Sequence, residues 1–378
     1  MVILSSYSQD ENSSEPKPSQ IAESARAMPV ITEKADLKIQ HSNLDPNLNQ
    51  GDIASEANPS LEQGTARESL RPDNFDEYIG QEKLKSALKI SMDAARKRQD
   101  IASMGHVMLY GPPGLGKTSC AYLIAKELGT SIKTFSAPAL DRPKDIIGIL
   151  MSLNTGDVLF IDEIHRLNKV TEELLYPALE DFEVDLNSGK DSSSRIMRLK
   201  INKFILVGAT TKLGYISAPL RDRFLHVHRM QYYTHEELAE IISKNAKKLL
   251  VNINSSGLME IASRSRGTPR IANRLLRLVR DYADHLEADL INEQIAHKAL
   301  DLYQIDKYGL DKMDKKILEV LIQHYKGGPA GLETIAGLIG EDKNTVEDYY
   351  EPFLIQSGLL LRTQRGRVVT EKGLEYCR

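Results

Sequence analysis

The chain has 378 residues and a formal net charge of −4, which is long enough for two or three domains and a sizeable core. Its two cysteines, Cys120 and Cys377, argue against a disulfide framework and fit a reducing compartment. The sequence shows neither an apolar run of membrane-spanning length nor a secretory signal, so we expect a cytoplasmic protein without membrane contact.

The first 60 residues differ in composition from the rest. They carry nine acidic and four basic residues, are rich in Ser, Asn, Gln, Pro and Glu, and contain few aromatic residues. Such a segment buries too little apolar surface to offset its chain entropy. We predict a disordered acidic and polar extension over 1–64, followed by three domains over 65–233, 234–305 and 306–378.

Residues 65–233 alternate short apolar runs with helical patterns. After an amphipathic helix over 82–98, the predicted strands lie at 106–110, 132–135, 158–161 and 204–207. Strands that alternate with helices pair in parallel, and helices cover both faces of their sheet. We therefore predict an α/β fold whose ligand site lies beyond the carboxyl ends of the strands.

Residues 111–118 read Gly-Pro-Pro-Gly-Leu-Gly-Lys-Thr, between the first predicted strand and a helix that stops at Gly129. Backbone N–H groups of such a loop and of the following helix N-terminus converge on one point, which suits phosphate groups. Lys117 can reach the terminal phosphates, and the Thr118 hydroxyl can ligate magnesium. A chance glycine-rich turn is the alternative, but the flanking strand and helix favour binding of a nucleoside triphosphate with Mg²⁺.

Two carboxylates, Asp162 and Glu163, end the third predicted strand at the edge that receives this loop. Asp162 suits the magnesium shell, and Glu163 suits orienting and deprotonating the attacking water. An acidic helix N-terminus is the alternative interpretation of the pair. Thr211 follows the next strand at the same edge, where a hydroxyl would contact the γ-phosphate or the water. We assign no chemistry to His165 and interpret it as a solvated helix residue.

Two arginines in turns leave alternatives open. Arg223, beside Asp222, is either part of a charge-paired surface turn or a cation that projects toward the γ-phosphate of a neighbouring subunit. Arg270 starts a helix after Pro269 and is either a phosphate sensor or an ordinary exposed arginine.

Helices dominate from residue 234 onward. They are predicted over 235–250, 256–265 and 270–286, then over 311–325, 331–339 and 344–356, before a strand pair at 359–362 and 367–370. Three helices and a terminal hairpin are the layout of a winged helix. Arg362, Arg365 and Arg367 near the hairpin turn predict salt-sensitive DNA binding, unless they form only a solvated basic turn.

Together these residues resemble the AAA+ ATPases, and more narrowly the RuvB family of Holliday-junction branch-migration motors. The stretches that carry the resemblance are 70–72, 78–81, 111–118, 159–167, 176–182, 208–211, 219–224, 327–329, 350–355 and 365–367. The resemblance covers the chain from about residue 65. It implies an AAA+ P-loop domain with a parallel sheet, an all-helical lid domain and a C-terminal winged helix.

The resemblance also implies roles that spacing alone does not assign. Residues expected around the nucleotide are Leu70, Arg71, Tyr78 and Ile79 at the adenine, Gly114, Lys117, Thr118 and Ser119 at the phosphates, and Glu180, Asp181, Phe182 and Tyr233 nearby. Thr211 would be the first sensor, Arg270 the second sensor, and Arg223 the finger donated across a subunit interface. The wing arginines, Arg362, Arg365 and Arg367, would contact DNA.

A finger that acts in trans requires an oligomer, and the resemblance implies a hexameric ring on duplex DNA at four-way junctions. It further implies RuvA, a junction-binding protein, and a resolving nuclease as partners. Residues 183–200 match the hairpin expected to dock RuvA, but Asn187, Ser188 and 191–194 make it unusually polar. Leu225 replaces a usual glycine, and Lys212 replaces a usual arginine, which keeps the charge without the bidentate geometry.

The resulting prediction is an ATP-driven motor that translocates duplex DNA and moves a four-way junction during recombination and repair. The alternative is a clamp-loader or initiator-type AAA+ switch, which assembles on DNA without sustained translocation. A non-catalytic DNA-binding scaffold is a third hypothesis, and Glu163 and Lys117 argue against it.

Overall fold

The computed structural model describes residues 70–188 and 195–377. The extension predicted over 1–64 therefore lies outside the described residues, as does the polar segment 189–194. In the described part of the chain, no helix is long and apolar enough to cross a membrane.

The strands and helices follow one another along the chain as in an α/β domain succeeded by helices and a terminal hairpin. The strands are β1 (His106–Tyr110), β2 (Ile132–Ser136), β3 (Val158–Asp162), β4 (Glu183–Ser188), β5 (Arg195–Lys200), β6 (Ile205–Thr210), β7 (Phe224–Arg229), β8 (Leu360–Thr363) and β9 (Gly366–Val369). The helices are α1 (Glu82–Lys97), α2 (Lys117–Leu128), α3 (Pro143–Met151), α4 (Lys169–Glu180), α5 (Ala218–Arg221), α6 (His235–Lys248), α7 (Ser255–Ser263), α8 (Pro269–His285), α9 (Glu293–Leu302), α10 (Lys312–Tyr325), α11 (Leu332–Ile339), α12 (Lys343–Thr345), α13 (Glu351–Gln356) and α14 (Glu371–Tyr376).

Five strands form the main sheet in the order β2-β3-β6-β1-β7, and all neighbouring strands are parallel. This arrangement confirms the α/β fold with a parallel sheet. The edge strand β7 is not among the predicted strands, because only its first residue, Phe224, is buried. Pairing with β1 forms this strand where the apolar pattern of its own residues is too weak to indicate one.

The two faces of the sheet belong to different hydrophobic cores. In β1, Val107 and Leu109 join the core that includes α1, α2 and the lid helices α6–α9, whereas Met108 joins the core under α3 and α4. Successive strand residues point to opposite faces, so a continuous apolar run is buried on both sides. The lid helices are thereby packed against the same layer that carries the glycine-rich loop.

The C-terminal residues form a winged helix, which confirms the predicted layout. Helices α10 and α11 precede the antiparallel hairpin β8–β9, whose register pairs Arg362 with Arg367. Leu318, Leu321 and Ile335 lie in the core of this unit.

Residues 344–356 differ from the single helix predicted there. The structure contains α12, a π-helical turn over Val346–Tyr350, and then α13, which has Pro352 in its first turn. Proline lacks an N–H group and its ring clashes with the carbonyl four residues back, so a regular α-helix is disfavoured at this point. The wider turn accommodates the proline, because the N–H of Glu351 bonds to the carbonyl of Val346, five residues back.

Candidate functional site

A cavity of about 690 Å³ opens beyond the carboxyl ends of the sheet strands and against the lid helices. It brings together most of the residues predicted to bind a nucleotide, namely Leu70, Arg71, Tyr78, Ile79, Gly114, Lys117, Thr118, Ser119, Asp162, Glu163, Tyr233 and Arg270. The cavity also contains Ile241, Lys244, Asn245 and Lys248, for which the sequence predicts no role. These four recur at helical spacing on one face of α6, and that spacing is the signal that would have identified them.

The loop before α2 holds backbone conformations that favour glycine. Gly114 and Gly116 have φ angles of 82° and 97°. A Cβ atom on Gly114 would lie 3.0 Å from Cβ of Arg270, and one on Gly116 would lie 3.1 Å from the hydroxyl of Tyr78. No side chain caps the N-terminus of α2, so its N–H groups and the helix dipole remain for an anion.

Lys117 is a buried cation at the floor of this loop. The residue is 7% exposed, and its Nζ donates hydrogen bonds to the carbonyl oxygens of Gly111 and Pro112, each at 2.8 Å. Burial lowers the pKa of Lys117, and the negative charges of Glu163 and Asp162 oppose that shift. Two neutral carbonyl groups do not compensate a buried ammonium charge, so the arrangement fits an anionic ligand.

Two carboxylates, Asp162 at the end of β3 and Glu163 directly after it, lie beside the end of β6. Glu163 has a φ of 50°, which is uncommon for a residue with a side chain. Its Oε2 accepts a hydrogen bond from Oγ1 of Thr211 at 3.1 Å. Oδ1 of Asp162 accepts one from the backbone N–H of Glu163 at 3.0 Å, and burial raises the pKa of Asp162. Both carboxylates and Thr211 therefore lie together at the sheet edge that carries the glycine-rich loop.

His165 is not the solvated residue that the sequence suggests. Its side chain is 10% exposed, and its Nδ1 lies 3.1 Å from Oε2 of Glu163 and 2.9 Å from Oγ1 of Thr210. The interpretation from the sequence is wrong because residues 164–166 form a tight turn that directs this ring toward the end of β6. That contact depends on the pairing of β3 with β6, which local sequence does not report.

Tyr233 and Arg270 connect the cavity to the lid. The hydroxyl of Tyr233 donates a hydrogen bond to the carbonyl of Leu115 at 3.1 Å, and burial raises the pKa of Tyr233 to about 12. The backbone N–H of Arg270 donates to the carbonyl of Gly114 at 3.3 Å. The glycine-rich loop is therefore bonded directly to the residues that begin the lid and its helix α8.

Arg223 lies apart from the cavity of its own chain. Its Nη2 is 2.8 Å from Oε2 of Glu180, and its guanidinium lies 4.7 Å from the centre of the Tyr176 ring. Glu180, Asp181 and Phe182 likewise do not line the cavity, so the structure separates these four residues from the other predicted nucleotide contacts. Phe182 instead packs edge-on against Phe204, with ring centres 6.1 Å apart.

The three wing arginines have different environments. Arg365 is exposed at the hairpin turn. Arg362 is 57% exposed and lies 3.0 Å from Oε1 of Glu347. The side chain of Arg367 is 10% exposed, and its guanidinium lies 2.7 Å from the buried carboxylate of Glu351. Arg367 is therefore not a free surface cation in this structure, in contrast to what the predicted basic turn implies.

Models of three protein families match the chain end to end over nearly all of its described part. "Holliday junction DNA helicase RuvB P-loop domain" matches residues 70–230, "RuvB AAA lid domain" matches 233–306, and "RuvB C-terminal winged helix domain" matches 307–378. The three matches follow the order of the α/β domain, the lid helices and the winged helix.

Whole-chain relatives and a solved structure agree with these models. The chain is 50% identical over 331 residues to a protein of Rippkaea orientalis, covering 88% of this chain and 91% of that protein. It is 50% identical over 343 residues to one of Synechocystis, covering 89% and 94%. Both are named Holliday junction branch migration complex subunit RuvB.

The solved structure of the Thermotoga maritima RuvB Holliday junction branch migration motor is 47% identical, with a TM-score of 0.73. The match covers 81% of this chain and 97% of that one. Sequence, domain order and fold lead to the same assignment. This chain belongs to the RuvB family of AAA+ Holliday junction branch migration ATPases.

Proposed function

We propose that this chain hydrolyses ATP at a site completed by a neighbouring copy, and uses the energy to translocate duplex DNA at four-way junctions. The observation that carries this proposal is the single cavity in which Lys117, Thr118, Asp162, Glu163 and Arg270 meet. Family membership favours this motor over the clamp-loader or initiator-type switch.

The residues around the cavity have distinct tasks in the proposed reaction. The N-terminus of α2 and Lys117 bind the phosphates, and Leu70, Tyr78 and Ile79 hold the adenine. Glu163 accepts a proton from the attacking water, because its carboxylate lines the cavity and is held there by a hydrogen bond from Thr211. Arg270, at the start of α8, contacts the phosphates. When the γ-phosphate is released, the loss of this contact allows the lid to move.

A magnesium ion fits this site only together with the nucleotide. Thr118 and Asp162 both line the cavity and would hold the ion. Among the described residues there is no group of three or more histidine, cysteine or carboxylate side chains that could hold a metal. Mg²⁺ is usually bound by one or two protein ligands together with phosphate oxygens and waters, which agrees with such a sparse set. When bound, the ion supplies positive charge to the β- and γ-phosphates.

The assignment of Arg223 as a trans finger is supported by its distance from its own cavity. A finger bound to Glu180 has to leave that carboxylate to reach the phosphate of a neighbouring copy. Each cavity then needs an Arg223 from the next copy, and only a closed ring supplies one to every cavity. We therefore propose the hexamer implied by the resemblance.

The winged helix is the proposed DNA contact. Arg362 and Arg365 are exposed on its hairpin and suit phosphate contacts, whereas Arg367 would contribute only after separating from Glu351. The name of the relatives as subunits of a branch migration complex supports further protein partners. We propose a RuvA-like junction-binding protein at the β4–β5 hairpin and a resolving nuclease. The cytoplasmic location stays a prediction.

Branch migration of a synthetic four-way junction tests the function. We expect ATP-dependent displacement of a labelled junction arm, with a higher rate when a RuvA-like partner is added. The Glu163→Gln variant is the matched control, because it keeps the shape of the site and removes the base. Binding of DNA with ATP hydrolysis but without arm displacement would support the switch instead.

A further inference from the structure

The ring of His165 is placed between polar groups that a residue serving only to fill space would not need. The turn over 164–166 places its ring against the end of β6, where its Nδ1 lies 2.9 Å from Oγ1 of Thr210. The same nitrogen lies 3.1 Å from Oε2 of Glu163. Oγ1 of Thr210 accepts a hydrogen bond from the backbone N–H of Lys212 at 2.9 Å, so the backbone after β6 sets the position of this hydroxyl.

One oxygen of Glu163 thus has two polar neighbours from the chain itself. Thr211 donates to Oε2, and an Nδ1–H of His165 would donate to the same oxygen. Burial lowers the pKa of His165, which favours a neutral ring with one N–H. Two donors that converge on one carboxylate oxygen restrict the direction in which the other oxygen can face.

We propose that His165 is a positioning residue for ATP hydrolysis, which holds the Glu163 carboxylate through Nδ1 in the direction from which it accepts the proton of the attacking water. The inference rests on the proposed role of Glu163 as the base. A displacement of about 1 Å in such a group lowers turnover by roughly 100-fold. Substrate binding is unaffected, because His165 is not among the residues that line the nucleotide cavity.

Three substitutions of His165 separate this role from packing. In His165→Asn the side-chain amide occupies the position of Nδ1, in His165→Gln it occupies that of Nε2, and in His165→Leu there is no polar atom. We expect Leu and Gln to lower kcat by roughly 10- to 100-fold with KM for ATP within about threefold of wild type. Asn should keep kcat within about threefold of wild type.

The measurement is steady-state ATP hydrolysis with duplex DNA, together with binding of a fluorescent ATP analogue and a melting curve for each variant. His285→Leu, at an exposed position on α8, is the control for loss of an imidazole. Wild-type kcat in both the Leu and Gln variants would overturn the inference, and so would equal losses in Asn, Gln and Leu. If Glu163→Gln is inactive while His165→Leu is normal, the positioning role alone fails. If Glu163→Gln hydrolyses ATP at the wild-type rate, the proposed base fails as well.

An ion pair connects the α/β domain to the winged helix. Nζ of Lys212, the residue after Thr211, lies 3.0 Å from Oδ1 of Asp348 in the π-helical turn of the winged helix. Glu347, the neighbour of Asp348, forms the ion pair with Arg362 on the hairpin. The π-helical turn therefore offers one carboxylate to the nucleotide domain and the next to a proposed DNA contact.

We infer that the ion pair between Lys212 and Asp348 couples DNA binding to ATP hydrolysis. If DNA phosphates pair with Arg362, Glu347 loses its ion-pair partner and the charge beside Asp348 changes. Asp348 forms an ion pair with Lys212, which directly follows Thr211. Exposed ion pairs contribute little to stability, so the effect belongs in the coupling between the sites and not in folding. This inference also rests on the proposed function, since it requires hydrolysis that DNA stimulates.

Charge reversal tests the coupling. The readout is the ratio of hydrolysis rates with and without duplex DNA. Lys212→Glu and Asp348→Lys should each lower this ratio by roughly fivefold or more, and the double variant should recover at least half of the wild-type ratio. Lys212→Arg, which keeps the charge, should retain it.

Lys203 and Asp100 form a matched control pair, because their separation is 3.2 Å and both lie in the α/β domain. Lys203→Glu should leave the ratio unchanged. Wild-type ratios in the single variants, or a double variant no better than the weaker single one, would overturn the inference while leaving the motor intact. A wild-type protein whose hydrolysis ignores DNA would instead contradict the proposed function, and this inference with it.

Discussion

Among single residues, Lys117 is the buried cation that lines the nucleotide cavity. Lys117 is the buried ammonium group of the glycine-rich loop, and the partners of its Nζ are two backbone carbonyls. Such a group is costly to bury without an anion, which explains why it lies where phosphates are expected. The identity of this residue was predictable from the sequence, because the loop that holds it is a contiguous motif with a fixed spacing.

Lys117→Ala should abolish detectable nucleotide binding at ATP concentrations that half-saturate the wild type. The variant loses charge-assisted hydrogen bonds worth about 3 kcal/mol, or roughly a 100-fold loss of affinity. Titration with a fluorescent ATP analogue measures this. Lys126→Ala, on the exposed side of the same helix, is the control and should bind normally. Tight binding by the Lys117 variant would remove this residue from the site.

His106 allows a prediction about pH. It is 6% exposed in β1, where its Nδ1 accepts a hydrogen bond from the N–H of Leu206 at 2.9 Å and its Nε2 lies 3.0 Å from the carbonyl of Leu179. Burial lowers the pKa of His106 from its usual 6.5, so the unfolded chain binds this proton more tightly than the folded chain. The stability that the residue contributes is therefore present above pH 6.5 and lost as the pH falls below it.

In His106→Asn, the amide oxygen can still accept from Leu206 but the group does not titrate. We expect a loss of about 1–3 kcal/mol at neutral pH from the missing second hydrogen bond. The difference in melting temperature between wild type and variant should shrink as the pH is lowered below 6.5. Melting curves across this range measure it, with His285→Asn as the exposed control. A constant difference at every pH would contradict the neutral form of His106.

Between elements of the winged helix, nearby carboxylates give the three wing arginines different environments. The hairpin alone predicts three equivalent cations, because all three lie within six residues. The π-helical turn and α13 supply Glu347 and Glu351, which pair with Arg362 and Arg367. Pro352 was the available signal that this segment is not one helix, but the position of the carboxylates depends on how the turn packs against the hairpin.

Substitution of the wing arginines should separate DNA affinity from stability. Arg362→Ala is expected to weaken duplex binding and to lower the salt slope by about one, without changing the melting temperature. Arg367→Ala leaves the buried Glu351 without its partner and should cost about 3–5 kcal/mol in the free energy of unfolding.

Neutralising Arg362 and Arg367 together should both weaken binding and flatten its salt dependence. Fluorescence anisotropy at several salt concentrations, with a melting curve for each variant, measures the two effects. An unchanged salt slope would place the DNA contact elsewhere.

At the scale of the whole molecule, the proposed site needs two copies of the chain. The glycine-rich loop with Lys117 and the proposed base Glu163 line one cavity. Arg223 lies apart from it and forms an ion pair with Glu180. A chain that donates its finger cannot use it on its own nucleotide at the same time. Hydrolysis should therefore depend on oligomer formation.

Mixing two inactive variants tests this arrangement. Lys117→Ala prevents nucleotide binding. Arg223→Ala removes the finger and spares nucleotide binding. In an equal mixture, about a quarter of the interfaces combine a copy that retains Lys117 with a neighbour that retains Arg223. Hydrolysis should therefore rise above that of either variant alone. Mixing either variant with the double variant should restore nothing. Wild-type turnover by Arg223→Ala alone would contradict the trans assignment.

The α/β fold, the glycine-rich loop, the two carboxylates after the third predicted strand and the winged helix were all predictable from the sequence. These features depend on residues that are contiguous or on local hydrophobic periodicity, and both can be read without knowing the fold. Three contacts were not predictable in this way: His165 with Glu163, Lys212 with Asp348, and Arg367 with Glu351. Each of these contacts joins separate turns or strands, and its geometry follows from how those elements pack rather than from their own sequence.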